Sequence, residues 1–261
     1  MTSLQNEIPE WVDTHCHVTY EDIPGGADAA LDAAREVGVK RMITIGTDVA
    51  TSRAAIDLAA KHNDVWATVG LHPHDAKHGL DGLHELITQP RVVAIGECGL
   101  DYFYDHSDRA VQREIFAEQI ALAHEYKLAL VIHTRDAWDE TFEILDSCGV
   151  PKRTIFHCFT GSPVEAKKCL DRNAFISFSG IVTFKKAEEI RDAAKMCSTE
   201  KMLVETDSPF LAPVPHRGVS NQPAYLVDVG ACLAQVRNVS INEIANQTTS
   251  NALIAFAGLC A

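Results

Sequence analysis

Residues Trp11-Val-Asp-Thr-His-Cys-His-Val18 read as a buried strand that ends in a pair of imidazoles. Successive side chains of a strand point to opposite faces. That places Asp13, His15 and His17 on one face and Val12, Thr14 and Cys16 on the other. Two imidazoles two residues apart at a strand end can reach one cation. They can equally be two hydrogen-bonded histidines beside a turn. Later stretches favour the first reading, because each delivers a His, Asp or Glu to the end of a short apolar run.

Working outward, the chain alternates short apolar strands with amphipathic helices. Strands are expected at Lys40 to Gly46, Val65 to Leu71, Val92 to Glu97, Leu128 to His133, Thr154 to Phe159, Ala174 to Ser179 and Met202 to Asp207. Helices are expected over Ala27 to Val37, from Asp48 or Thr51 to near His62, weakly at Gly82–Thr88, and over Ser107 to Tyr126 and Ala137 to Ser147. Others follow from Ser162-Pro163 to Leu170, over Ala187 to Met196, Gln222 to Arg237 and Ile241 to Phe256. Ser before Pro is an N-cap followed by a residue preset for the first helical turn. Strands apolar on both faces suit a parallel sheet covered by helices. Eight strand–helix units of about 25–30 residues fit an α/β fold closed as a (β/α)8 TIM barrel, one domain over 1–261 with 1–10 as an N-terminal extension. An open doubly wound sheet is the alternative. Against it, no Gly-x-Gly-x-x-Gly turn follows the first strand, and chemistry recurs along the whole chain.

Composition narrows the function classes. The net charge of −13 leaves no overall cationic surplus for a long electrostatic grip on duplex nucleic acid. A phosphate ester would have to be held locally. No run of about 18 apolar residues is present, so no membrane partner or span is expected, and residues 1–10 lack a basic and apolar leader. Eight cysteines without a CxxC pair point to reduced thiols and a cytoplasmic location. Cys16, Cys98 and Cys158 sit beside candidate ligands but on the opposite strand face, which makes them small core residues.

Barrel enzymes carry their sites at the C-terminal ends of the strands. There the chain places His15 and His17, Glu97, His133, His157 and Asp207. Histidine with carboxylate suits divalent Zn, Mn, Fe or Mg. Six protein ligands exceed what one open site needs. Two cations about 3.5–4 Å apart, sharing a carboxylate and clamping the attacking and leaving oxygens, fit better.

Asp-Thr-His-Cys-His17, Gly-Leu-His-Pro-His74, Ile-Gly-Glu-Cys-Gly-Leu-Asp-Tyr102, Ile-His-Thr-Arg-Asp-Ala137, His-Cys-Phe-Thr-Gly161 and Glu-Thr-Asp-Ser-Pro-Phe-Leu211 occur in this order. As a set they resemble the TatD family, metal-dependent DNases of the amidohydrolase-like barrel superfamily, over about residues 11–256. The resemblance implies one metal on His15, His17 and Asp207, a second on His133 and His157, and Glu97 bridging both. It implies catalytic roles for Glu97 and Asp207, the latter orienting or deprotonating a water. It also implies a 3′–5′ exonuclease on single-stranded DNA or RNA, with two divalent ions (Mg, Zn or Mn) and a short or single-stranded nucleic-acid partner. Phosphotriesterase-like relatives place a modified lysine where Glu97 stands, and no Lys ends that strand here.

Several residues remain open between two readings. Glu205 and Asp13 either orient ligands or are polar packing. Arg135 either binds a phosphate bidentately or pairs with Asp136 or Glu140. His74 either reaches a phosphate or is a solvated loop histidine. Arg217, with His216 in the Pro-rich loop 209–223, is a basic group near the rim and a substrate-binding candidate. His72 is expected to be structural beside Pro73. Thr160 and Gly161 precede a helix start, where backbone N–H groups favour anions. Tyr102 and Phe103 can stack on a base, although Phe103 is expected to be a buried lid contact. Hydrolysis of another ester or amide at the same centre (a D-aminoacyl-tRNA deacylase or a cyclic amidase) is the second enzymatic reading. A catalytically idle barrel acting as an adaptor is the third.

Overall fold

The computed structural model describes residues 8–259. Residues 1–7 of the expected N-terminal extension, and Cys260, lie outside them. Eight parallel strands form one sheet in chain order: β1 Trp11–Cys16, β2 Val39–Thr44, β3 Val65–Val69, β4 Val92–Asp101, β5 Ala129–Arg135, β6 Thr154–Phe156, β7 Phe175–Phe178 and β8 Met202–Val204. Between and after them run α1 Gly26–Glu36, α2 Val49–Ala59, α3 His84–Ile87, α4 Arg109–Tyr126, α5 Trp138–Cys148, α6 Pro163–Asp171, α7 Glu188–Met196, α8 Leu226–Arg237 and α9 Ile241–Ala255. This is the (β/α)8 barrel that the alternation implies.

The caps follow the local sequence. Asp48 accepts from the Thr51 amide and closes a capping box at α2. Ser162 does the same at α6, with Pro163 in its first turn. Each satisfies amide groups that a helix start leaves unpaired.

The seam between β8 and β1 matters most for function. It is closed by the Asp207 amide donating to the His15 carbonyl at 2.9 Å and the His17 amide donating to the Ser208 carbonyl at 2.7 Å. The Thr14 hydroxyl adds a bond to the Val204 carbonyl at 2.9 Å. The bonds that close the ring therefore fix the backbone of three candidate ligands.

Two strands depart from simple alternation. Pairing of β1 with β2 shifts register between Asp13 and Cys16. Val12 packs with the apolar cluster of Ile43, Val131 and Leu203, and Thr14 bonds Ser177 of β7. His15 and His17 still meet, Nε2 to Nε2 at 3.2 Å. The irregularity, not strict two-residue alternation, therefore sets the faces of this strand. In β4 the register shifts between Ile95 and Cys98. The strand then runs four residues past Glu97, as far as Asp101. Gly99, at φ 130°, lies so close to β5 that a Cβ would stand 2.0 Å from the His133 carbonyl oxygen. Only glycine permits that approach.

Apolar side chains fill the space between the strands and the helices. A second cluster joins the strands to Ala255, Phe256 and Leu259 of the C-terminal segment. Bonds from Trp66 to the Gly258 carbonyl and from Arg41 to the Leu259 carbonyl hold that segment in place. Cys16 and Cys98 are buried core residues, as expected.

Candidate metal centre and substrate cavity

Glu97 is the hub. Its Oε1 lies 2.9 Å from His157 Nε2, 3.1 Å from His133 Nδ1 and 3.4 Å from His72 Nε2. Its Oε2 lies 3.3 Å from His15 Nε2 and 3.8 Å from His17 Nε2. Asp207 Oδ1 completes the other side, 3.4 Å from His17 and 3.6 Å from His15. All six residues expected as ligands thus meet at one mouth of the barrel.

The donor sets fit divalent cations. His15, His17 and Asp207 form one group in which a donor atom from each lies within 4.8 Å of the others; His15, Glu97 and His157 form a second; His72, Glu97 and His133 form a third. The third differs from the expected pairing, because His72 stands beside His133 where His157 was expected. His72 therefore stands among the groups that could hold a metal ion, besides its place next to Pro73. Its Nδ1 accepts from the His74 amide, which turns Nε2 toward Glu97. Buried His15 and His17 have Nδ1 atoms without a hydrogen-bond partner among the described residues, while their Nε2 atoms converge. Nitrogen and carboxylate oxygen converging in a buried pocket is the donor chemistry of Zn- or Mn-type sites.

Electrostatics point the same way. Burial works against ionisation of Glu97, but His157 and His72, with bonds from His133 and His15, hold it well below the usual carboxylate range. Burial likewise disfavours the His157 cation, yet Glu97 and Glu205 hold its pKa well above the ordinary imidazole value. His15 is depressed by burial and by adjacent His157. The site thus gathers acidic oxygens whose ionised form is favoured by the imidazoles around them.

Carboxylates behind the rings orient them. Glu205 accepts from the Cys158 amide at 2.6 Å and faces His157 Nδ1 at 3.3 Å. Asp101 Oδ2 lies 3.1 Å from His133 Nε2 and 3.1 Å from His74 Nε2. Its Oδ1 accepts from the Phe103 and Tyr104 amides at 3.0 Å each. Asp101 was not among the expected site residues, although it stands in the Gly-Leu-Asp-Tyr102 motif. Asp13 holds backbone rather than a ring: its carboxylate takes the His15 and Thr206 amides and the Thr206 hydroxyl.

Above the cluster opens a cavity of about 820 Å³. His74, Arg135, Thr160, Phe103, Tyr104 and Phe210 are among its lining residues. Arg135 makes no ion pair with Asp136 or Glu140 among the described residues; its guanidinium lies 3.8 Å over the Phe103 ring. Three expectations change. Phe103 is 54% exposed, not a buried lid, because the strand before it ends at Asp101 and the chain turns outward. Cys158 also lines the cavity, since β6 ends at Phe156 and alternation no longer governs it. Arg217 does not line the cavity. Its guanidinium bonds the Ala212 carbonyl and packs 3.9 Å over Phe184, while His216 pairs with Asp228.

Comparison with known proteins agrees with this geometry. The family model described as TatD related DNase matches residues 12–257. The chain belongs to the TatD-related family, a family of metal-dependent hydrolases by the names its relatives carry. The metal-dependent hydrolase YcfH of Escherichia coli K12 is 39% identical over 250 residues, covering 92% of this chain and 93% of its own. The metal-dependent hydrolase YabD of Bacillus subtilis is 38% identical over 245 residues, covering 92% of this chain and 96% of its own. Among solved structures, the TatD homologue YjjV of Escherichia coli superposes with a TM-score of 0.89 at 29% identity, covering 95% of this chain and 98% of that one.

Proposed function

We propose that this hydrolase is a nuclease: a phosphodiesterase that uses two divalent ions and removes nucleotides from the 3′ end of single-stranded DNA or RNA. The observation that carries the reading is one carboxylate, Glu97, shared by imidazole groups on both sides of it, directly beneath a cavity rimmed by aromatic rings and Arg135. The family match supports the substrate class. The charge of −13 favours short or terminal substrates over a processive duplex grip.

In this reading His15, His17 and Asp207 would hold one ion and His133 and His157 the other, with Glu97 within reach of both groups and His72 beside the second. Divalent ions held there would supply Lewis acidity for activating a water and countering phosphoryl charge. The protein's own groups do the rest. Asp207 orients the attacking water and takes its proton. Glu205 fixes the ring plane of His157, and Asp101 fixes that of His133. Arg135 presents a planar guanidinium able to receive a phosphate bidentately, and His74, bonded to Asp101, lies beside it as a second phosphate contact. Arg217 would need the 209–223 loop to rearrange before it could serve. We place the protein in the cytoplasm: the cysteines among the described residues are free, and no helix among those residues is long and apolar enough to cross a membrane.

The test is a divalent-metal screen on a 3′-labelled single strand, with aminoacyl esters as competing substrates. Metal-dependent shortening of the strand from its labelled end is the expected result. Hydrolysis of the aminoacyl ester with an intact strand would replace this reading with the deacylase one.

A further inference from the structure

We propose that Phe103 and Phe210 are the stacking surfaces for the two nucleobases that flank the scissile phosphodiester, an inference that rests on the nuclease reading above. Both rings are large, apolar and about half exposed, at 54% and 49%. Both face the same cavity. They stand beside different halves of the cluster. Phe210 lies edge-on to His17 at 6.0 Å and to Tyr20 at 6.2 Å, next to the group completed by Asp207. Phe103 lies under the guanidinium of Arg135, two residues past His133 on β5. A phosphodiester seated over Glu97 would therefore send its two nucleosides toward one ring each.

The charge distribution explains why stacking is needed. Arg135 is the only Lys or Arg lining the cavity among the described residues, in a chain of net charge −13. Lys and Arg contacts to phosphate, the usual source of nucleic-acid affinity, are thus limited to this one side chain at the mouth. Aromatic faces bind any base irrespective of sequence and require an unpaired strand to reach it. Backbone bonds to Asp101 hold the Phe103–Tyr104 turn at a fixed height above His133. That anchorage keeps the first stacking surface in register with the reacting phosphate.

The test is steady-state kinetics on three short oligonucleotides: one intact, one lacking the base 5′ of the scissile phosphate, and one lacking the base 3′ of it. Phe103→Ala and Phe210→Ala are compared with wild type and with Phe103→Trp. On the intact strand each alanine variant should raise KM about tenfold or more, with a smaller change in kcat. Each loss should shrink to within about twofold on the one substrate whose missing base that ring would hold, and persist on the other. Tryptophan at 103 should restore KM. Melting temperatures should match wild type, since both rings are exposed. Unchanged KM in both variants, or equal losses on all three strands, would overturn the proposal while leaving the nuclease reading intact. A wild-type enzyme that cleaves none of the strands would overturn both.

Discussion

On the β1/β8 side of the mouth, His15 and His17 are buried with their Nδ1 atoms unpartnered among the described residues. On the β4–β6 side, each imidazole has a carboxylate behind it: Asp101 behind His133 and Glu205 behind His157. The first pair is oriented by packing and by the backbone bonds of the barrel seam; His15 also stacks on His157 at 3.8 Å. The second pair is oriented by hydrogen bonds. One centre thus orients its rings in two ways. On the β1/β8 side the backbone bonds of the seam fix the ligand-bearing chain. On the β4–β6 side carboxylates keep the ring planes, and both sides line the same cavity.

Removing one donor from each half should separate their roles. Asp207→Asn, on the β1/β8 side, takes away together the ligand oxygen and the proton acceptor that the proposed function assigns to it. Hydrolysis rates at saturating metal should fall by about 10²- to 10⁴-fold; a change of less than about threefold would remove Asp207 from the chemistry. Asp101→Asn leaves an acceptor for the Phe103 and Tyr104 amides but loses the carboxylate shared by His133 and His74. Metal affinity, read by titration, should weaken by about 10- to 100-fold. Unaltered affinity would mean that β5 alone orients His133.

Binding to the native state also stabilises it. At a free divalent concentration about 100 times Kd, thermal or denaturant unfolding should show a gain of about 2.7 kcal/mol over the chelated protein. Absence of any metal-dependent gain would contradict a preformed centre.

The smallest effect concerns Asp13. Burial pushes its carboxyl from 3.8 up to about 8, against the bonds from Thr206 and His15. The folded state therefore holds this proton more tightly than the unfolded chain does. The resulting stability is complete below the unfolded value and is lost as pH rises from about 4 through about 8. In metal-free protein, Asp13→Asn should flatten that part of the melting-temperature profile. Identical profiles in the two proteins would remove Asp13 as its source.

Much of this was legible in the chain, for identifiable reasons. Strand-end imidazoles and carboxylates betray a barrel mouth because the fold gathers such ends in one place. Ser162-Pro163 and Asp48 mark their helices by capping chemistry that is entirely local. The rest depended on geometry that alternation cannot supply. The register shift in β1 put Thr14 on Ser177, and the shift in β4 carried that strand on to Asp101. A signal for Asp101 existed, since it follows Glu97 by four residues in the same motif. His72 carries the same His-x-His pattern as His15 and His17, but the proline between it and His74 equally suits a purely structural turn. Arg217 was misplaced for another reason: a long loop does not disclose which aromatic ring, here Phe184, will capture a cation.

Glu97 is proposed to join two imidazole groups into one metal-dependent hydrolytic centre. The decisive measurement is metal content per chain and strand hydrolysis, side by side for wild type and Glu97→Ala. Wild type should carry two divalent ions per chain, and the variant should show impaired metal retention and hydrolysis reduced by about 10³-fold or more. A variant that keeps its full metal complement and cleaves at the wild-type rate would contradict it.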